Sequence, residues 1–194
     1  MIGLLLLIIN SVYAFNFKHY YMDPRIHSMG NHGPIGKIHA DIAPVFTKII
    51  DKVAYNDRDI RKEIINSYNF SDTVLDLCCG VGLSTPKNGI GIDTSYEMIS
   101  KARKLYPNKK FDIGNAESYY PNIDIHVTST FFALHEMPRI ARKNIIKRVK
   151  EYTQKEILFV DISSDYKPSP FMLIGEPYIL EYLENIDEDL RDFE

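Results

Sequence analysis

The sequence predicts an α/β fold, a parallel β-sheet with helices on both faces. Three observations carry this. With 194 residues, 45% of them hydrophobic, the chain can bury one core and hardly two. After Ser71 and Asp72, short apolar runs of strand length alternate with stretches of helical spacing. One of those runs, Val74 to Leu77, leads into a tight glycine-bearing turn, the kind found where open α/β sheets bind ligands.

The elements follow in order. From Ile35 to Tyr55 apolar residues Ile38, Ile42, Val45, Phe46, Ile49 and Val53 recur at helical spacing, and Pro44 should kink that helix or begin a second one. Asp57 can cap a further helix through Ile60, Ile64 and Ile65 to Tyr68. Strands are expected at Val74–Leu77, Gly89–Ile92, Lys110–Ile113, Asp124–Ser129 and Ile157–Asp161. Helices are expected at Ser95–Leu105, Pro138–Tyr152 and Pro177–Glu188, with a Pro-containing loop at Tyr166–Pro170. Seven basic residues between Arg139 and Lys155 alternate with Ile140, Ile145, Ile146 and Val149, which reads as a helix turning its charge to water rather than as an RNA-binding strip. The acidic stretch from Glu176 to Glu194 reads as a solvated helix face running into a frayed end.

Charge and cysteine content narrow the function. A formal net charge of -3 gives no basic excess to favour nucleic acid as a partner. The two cysteines, Cys78 and Cys79, are adjacent, so they supply neither a disulfide framework nor spaced zinc ligands. Residues 1–14 hold an apolar run from Ile2 to Ile9, then Val12 and Ala14 placed as at a signal-peptidase site, so they read as a secretory signal too short to span a membrane. Phe15 directly after Ala14 resembles the bipartite plastid presequences of algae with secondary plastids; a cytoplasmic protein is the alternative. Residues 15–70 then form a helical leader or cap, and 71–194 the ligand-binding core.

The chemistry lies in three strand ends. Val74-Leu75-Asp76-Leu77-Cys78-Cys79-Gly80-Val81-Gly82 is an apolar strand followed by a turn whose glycines allow sharp bending and close approach of a ligand. A dinucleotide fingerprint needs a third glycine near Thr85, which is lacking, so NAD and FAD are disfavoured. Asp93 ends the next strand with two oxygens that can accept from two ribose hydroxyls. Asn115 ends the third with an amide that can read the edge of a base. Carboxylate, glycines, carboxylate and amide at successive strand ends suit a nucleoside bearing a zwitterionic amino-acid tail and no phosphate.

Together with Leu134-His135-Glu136-Met137-Pro138, the runs VLDLCCGVG, GIDTSYEMISKAR and GNAE resemble a class I S-adenosylmethionine-dependent methyltransferase of the branch often called type 11. Flanking runs beginning at Asp23 and Tyr166 resemble predicted methyltransferases of plants and algae. The resemblance implies a Rossmann-like core of about five strands and S-adenosyl-L-methionine as cofactor. It puts Asp76 near the methionyl ammonium, Gly80 and Gly82 beside the methionine carboxylate, Asp93 on the ribose, and Asn115 with the Ala116 backbone at the adenine. Met98 would lie near the ring. Each residue also has a plainer reading: Asp76 and Asp93 as helix-capping residues, Asn115 as a turn residue, Met98 as core.

Cys78 stands where that family most often has glycine, and both cysteines read as small packing residues. His135 follows the fourth strand, beside the locus where the family transfers the methyl group, and its intrinsic pKa suits a base; Glu136 and Tyr166 are rivals, and an exposed loop histidine is the plainer reading. The acceptor is expected to be a small or lipid-like molecule, met by a cap built from Asp23–Tyr55 and Ser163–Gly175, where Tyr20, Tyr21, Phe46, Tyr166 and Phe171 form an apolar pocket or else belong to the core.

Two departures from the family stand out. Only Leu83 to Ile92 separate Gly82 from Asp93, and Pro86 and Gly89 oppose a helix there, so the first crossover is short. After Ile157–Asp161 the family's terminal strand pair is lacking, which leaves the fifth strand as an edge for the terminal helix or another chain to cover. A shortened cofactor-binding protein without turnover is therefore the alternative to an active methyltransferase, with a dinucleotide oxidoreductase a distant third.

Overall fold

In the computed structural model, residues 30–69 and 71–193 are described. Strand β1 (Val74–Leu77) is buried at every position and lies at the centre of a five-stranded parallel sheet of order β3-β2-β1-β4-β5. β2 spans Gly89–Asp93, β3 Lys110–Ile113, β4 Ile125–Phe131 and β5 Thr153–Val160. The chain moves outward from β1 to β3 and then returns to the other side of β1 at β4. That reversal opens a crevice at the carboxyl ends of β1 and β4, where doubly wound sheets bind ligands. At the start of β4 the amides of His126 and Val127 both donate to the Thr73 carbonyl, an irregularity that shifts the register against β5, while against β1 Ser129 pairs with Asp76.

The two faces have different cores. On one, Leu75, Leu77 and Ile92 meet Ala141, Ile145 and Val149 of a helix over Arg139–Tyr152 and Tyr182 and Ile186 of a helix over Ile179–Asp189. On the other, Cys79 and Phe111 meet Ile99 and Ala102 of a helix over Tyr96–Leu105. In chain order the helices are α1 (Gly33–Ala54), α2 (Ile60–Ser67), α3 (Tyr96–Leu105), α4 (Arg139–Tyr152), α5 (Pro170–Gly175) and α6 (Ile179–Asp189). Helix α1 lies on α3 through Ala40, Val81 and Met98, and Lys101 Nζ donates to Asp41 at 2.8 Å. None of the helices among the described residues is long and apolar enough to cross a membrane.

Several expectations are corrected. Pro44 does not begin a second helix: α1 runs through it as one element. The cap of α2 is Asp59, whose side chain accepts from the Lys62 amide, because Asp57 takes a left-handed backbone (φ 64). β5 begins at Thr153 and not at Ile157, since a strand at the sheet edge keeps one side open and admits the polar residues Gln154, Lys155 and Glu156. Ser169 caps a short helix inside the expected loop by accepting from the Met172 amide. As expected, the first crossover carries no helix: its residues fold back on β2, and a Cβ at Gly91 would stand 2.7 Å from Thr85 Oγ1 and 2.8 Å from Cys79 Sγ. The expected signal segment and Tyr20 and Tyr21 lie outside the described residues. Phe46, Tyr166 and Phe171 are exposed and belong to no core.

The basic helix and the acidic tail are also not solvated throughout. Arg142 is fully buried, donating to Asp189 Oδ2 at 3.3 Å and to the Met137 carbonyl at 2.9 Å. Arg139 donates to Asp189 Oδ1 at 2.8 Å, so one buried carboxylate ties α4 to the end of α6. Helical spacing placed both residues on polar positions; the docking of α6 onto α4 buried Arg142 and paired Arg139. The tail covers one face of β5 as well, with Phe193 edge-on to Phe159 at 5.5 Å. Replacing Asp189 by Asn leaves a buried guanidinium without its counter-charge, and urea denaturation is expected to show a loss of about 3 kcal/mol.

Candidate functional site

The turn after β1 is built around Asp76. Its carboxylate is fully buried and accepts from Thr85 Oγ1 at 2.6 Å, Ser84 Oγ at 2.9 Å and Ser129 Oγ at 3.4 Å. Burial pushes its pKa up to about 6, against the opposing pull of the Thr85 and Ser84 hydroxyls and the Lys109 charge. Asp76 therefore sits under the turn, clasped by hydroxyls, and not on an open wall. Lys109 holds the same turn from outside, donating to the carbonyls of Thr85 at 2.5 Å and Gly82 at 3.3 Å.

Three residues of the turn, Cys78 (φ 54), Gly80 (φ 52) and Gly82 (φ 80), take left-handed backbones. For Cys78 this costs on the order of 1 kcal/mol. Burial raises both thiols well above their ordinary range, and the Asp93 and Asp76 charges add to the effect, so Cys78 and Cys79 are packing residues and not thiolates. Gly82 has a packing reason for its bare Cα, since a Cβ would lie 2.5 Å from the Phe111 ring. Gly80 differs: a Cβ there would meet nothing within 4 Å, so its backbone faces open space.

Asp93 borders that space. One of its oxygens accepts from the Gly80 amide at 2.9 Å and the other from the Ser95 amide at 2.8 Å, tying the β1 turn to the β2 turn. Ser95 in turn caps α3 through Met98 N and donates to the Asn31 carbonyl at 2.5 Å, which brings the leader against the same turn. Met98 is buried between α1 and the turn with Ala40 and Val81. Asn115 Oδ1 accepts from the Glu117 amide at 3.0 Å in a tight turn. The Ala116 side chain is buried in the larger core, so any ligand contact there falls to its backbone.

At the carboxyl ends of β4 and β5 the structure brings together residues that the sequence left apart. His135 lies in a 3₁₀ turn (Leu134–Glu136), buried rather than exposed, with Nδ1 at 2.5 Å from Asp161 Oδ1. Asp161 also accepts from the amides of Leu134 at 2.7 Å, His135 at 3.3 Å and Ile162 at 2.7 Å. The His135 ring meets the Tyr182 ring edge-on at 6.0 Å, and Tyr182 Oη donates to the Ile162 carbonyl at 2.6 Å. Burial lowers the His135 pKa, but the Asp161 hydrogen bond and charge, with Glu136 and Glu176, outweigh it and leave the pKa raised from 6.5. Tyr166 is 45% exposed in the loop after β5. Beside this pair, Phe132 takes a left-handed backbone (φ 54), with the Tyr55 ring at 6.0 Å and the Arg61 guanidinium 4.5 Å above it. Asp161, Tyr55, Arg61 and Lys109 are the residues sequence reasoning missed. For Asp161 a signal existed: β5, like β1 and β2, carries a carboxylate at its end.

No protein-family model matches the chain, and no curated protein does. Solved structures do. DesVI of Streptomyces venezuelae aligns with a TM-score of 0.54 at 15% identity, over 66% of this chain and 60% of that one. A TehB-like SAM-dependent methyltransferase from Corynebacterium glutamicum ATCC 13032 Kitasato aligns at 0.48 and 14% identity, over 60% and 67% of the two chains. An S-adenosylmethionine-dependent methyltransferase from Clostridium acetobutylicum ATCC 824 aligns at 0.49 and 22% identity, over 63% and 58%. The chain thus spans less than two thirds of the DesVI and Clostridium structures. Identities this low make the likeness one of fold. This chain has the class I methyltransferase fold.

Within the class I methyltransferase fold, the buried Asp76 is a charge that folding must desolvate. Its pKa is raised from an ordinary 3.8 to about 6, so its contribution to stability is fully present below the unfolded value and is lost as pH rises through 6. Asp76→Asn is expected to be more stable than the wild type at pH 7, on the order of 2 kcal/mol, with the difference gone by about pH 4. Denaturant titrations at the two pH values check this.

Proposed function

We propose that the chain binds S-adenosyl-L-methionine across the carboxyl ends of β1, β2 and β3 and transfers its methyl group to a small or lipid-like acceptor held at the end of β4. The observation that carries the reading is the pair Asp93 and Gly80. Both Asp93 oxygens are fixed by backbone amides of the turns after β1 and β2, and a carboxylate so placed presents two acceptor oxygens spaced as two ribose hydroxyls require. The open face of Gly80 beside them leaves room for the ligand to lie on the backbone. The residues fit the cofactor in charge as well, offering carboxylates and an amide in place of a phosphate cradle.

When bound, S-adenosylmethionine supplies a methyl on a positively charged sulfur, already a strong donor. What remains for the protein is placement and exclusion of water, worth about 7 to 11 kcal/mol of a barrier when reactants are well aligned. Asp93 orients the ribose, Asn115 and the Ala116 backbone the adenine, and Asp76 shapes the turn that receives the methionine end. Phe132, Tyr55 and Arg61 form the wall nearest the methyl-transfer locus, an apolar surface with one cation in it. His135 takes the acceptor's proton.

Calorimetric titration with S-adenosylmethionine, S-adenosylhomocysteine and NAD tests the cofactor, and transfer of a labelled methyl into a cell extract tests turnover. Asp93→Ala is expected to weaken S-adenosylhomocysteine about 10- to 100-fold through loss of charge-assisted hydrogen bonds. Binding of NAD with no binding of either sulfur nucleoside would sink the proposal.

A further inference from the structure

We infer that helix α1 docks the protein on an anionic lipid surface, lying along the bilayer rather than crossing it. A helix on a folded domain ordinarily turns its large apolar side chains to the core. Helix α1 does the reverse. Its inner line is made of small residues: a Cβ at Gly36 would stand 2.4 Å from the Asn31 backbone, Ala40 is buried, and Ala43 packs on the cluster of Ala40, Val81 and Met98. Ile35, Ile38, Ile42, Val45, Phe46 and Ile49 recur at helical spacing on another face, and each is between 38% and 63% exposed. An apolar stripe about four turns long is thus left uncovered by the described residues, larger than scattered surface side chains account for.

Charge indicates what covers the stripe. Lys37, Asp41, Lys48 and Lys52 follow one another at four, seven and four residues, so they line one flank of it. Helix α3 adds Lys101 and Lys104 beside them: Lys101 holds Asp41, and the Lys37 and Lys104 charges act on the same carboxylate. Five lysines meet three carboxylates, each already engaged: Asp41 by Lys101 at 2.8 Å, Asp57 by Lys52 at 3.3 Å and Glu97 by the Gly33 amide at 2.8 Å. The flank is therefore basic in a chain whose net charge is -3. Apolar side chains bordered by lysines match a surface that is apolar within and anionic at its rim, which is a bilayer carrying acidic headgroups. A second copy fits less well. Pairing two stripes antiparallel about a two-fold axis brings both lysine flanks together, like charge on like.

The place of α1 in the fold gives the docking a use. Gly33 is tied to the first turn of α3, which follows β2, and Tyr55, just past the other end of α1, meets the Phe132 ring at the end of β4. The helix therefore runs along the carboxyl ends of the strands, beside the crevice. Docking there sets that end of the sheet next to the lipid, from which an apolar acceptor can arrive without crossing water. The docking itself stands whether or not a methyl group is transferred.

Co-sedimentation of the full chain with vesicles tests this, using phosphatidylcholine alone and equal parts of phosphatidylcholine and phosphatidylserine. Binding is expected on the mixed vesicles, weaker on the neutral ones, and falling with added salt. The double variant Val45→Ser, Phe46→Ser changes two exposed positions; it is expected to keep the urea midpoint and to bind mixed vesicles about 10- to 100-fold more weakly. Lys48→Gln is expected to weaken that binding about 5-fold at low salt. Absence of binding by the wild type overturns the inference whatever the variants do. Binding unchanged in both variants overturns it as well, because the apolar run Ile2–Ile9 is then the attachment. Equal binding to neutral vesicles overturns the anionic character of the partner. A concentration-dependent dimer that binds no vesicles and is lost in the double variant assigns the stripe to a second copy instead. Sulfur-nucleoside binding in the calorimeter bears on methyl transfer alone, so the two readings fail separately.

Discussion

A buried carboxylate at the end of β1 is the constraint on which the site depends. Asp76 cannot be left alone in the core, because an unpaired buried charge costs several kcal/mol. It is met by three hydroxyls, two from the crossover and one from β4. Those bonds give the short crossover a defined path where a helix would otherwise supply one. They also set β4 against β1 at the point where the crevice opens. Lys109 completes the arrangement by binding the carbonyls that the crossover leaves free.

The other strand-end carboxylates do related work. Asp93 joins the turns after β1 and β2, and its oxygens are fixed before any ligand arrives. Asp161 joins the turn after β4 to the exit of β5 and takes the imidazole as a fourth donor. Preorganisation of this kind places charge without reorganisation at the moment of binding or reaction. It also explains why the turns tolerate the left-handed backbones of Cys78 and Phe132: surrounding hydrogen bonds and packing over-determine them.

The end of the sheet is stabilised by a different device. Among the described residues β5 is an edge strand, and helix α6 docks on α4 through the buried Arg142–Asp189 pair. Tyr182 of that helix meets the His135 ring, and Phe193 in the turn after it meets Phe159. The C-terminal segment thus packs on both the edge strand and His135.

By itself the sequence determined the parallel sheet, with β1 and β3 at their observed bounds, and the carboxylate, glycine and amide at successive strand ends. These are local facts: apolar runs bury, and glycines turn where side chains cannot. Legibility failed where a residue's environment comes from distant chain. Charge on β5 hid its first half because an edge cannot be recognised before the sheet order is known. Arg142 read as solvated because only the docked tail buries it. His135 was visible as a histidine beside the fourth strand, but its partner lies 26 residues away, and only the parallel pairing of β4 with β5 brings the two within hydrogen-bond reach. The tertiary structure decided that, because sequence spacing describes faces of single elements, whereas a histidine and the carboxylate bonded to it are a relation between two.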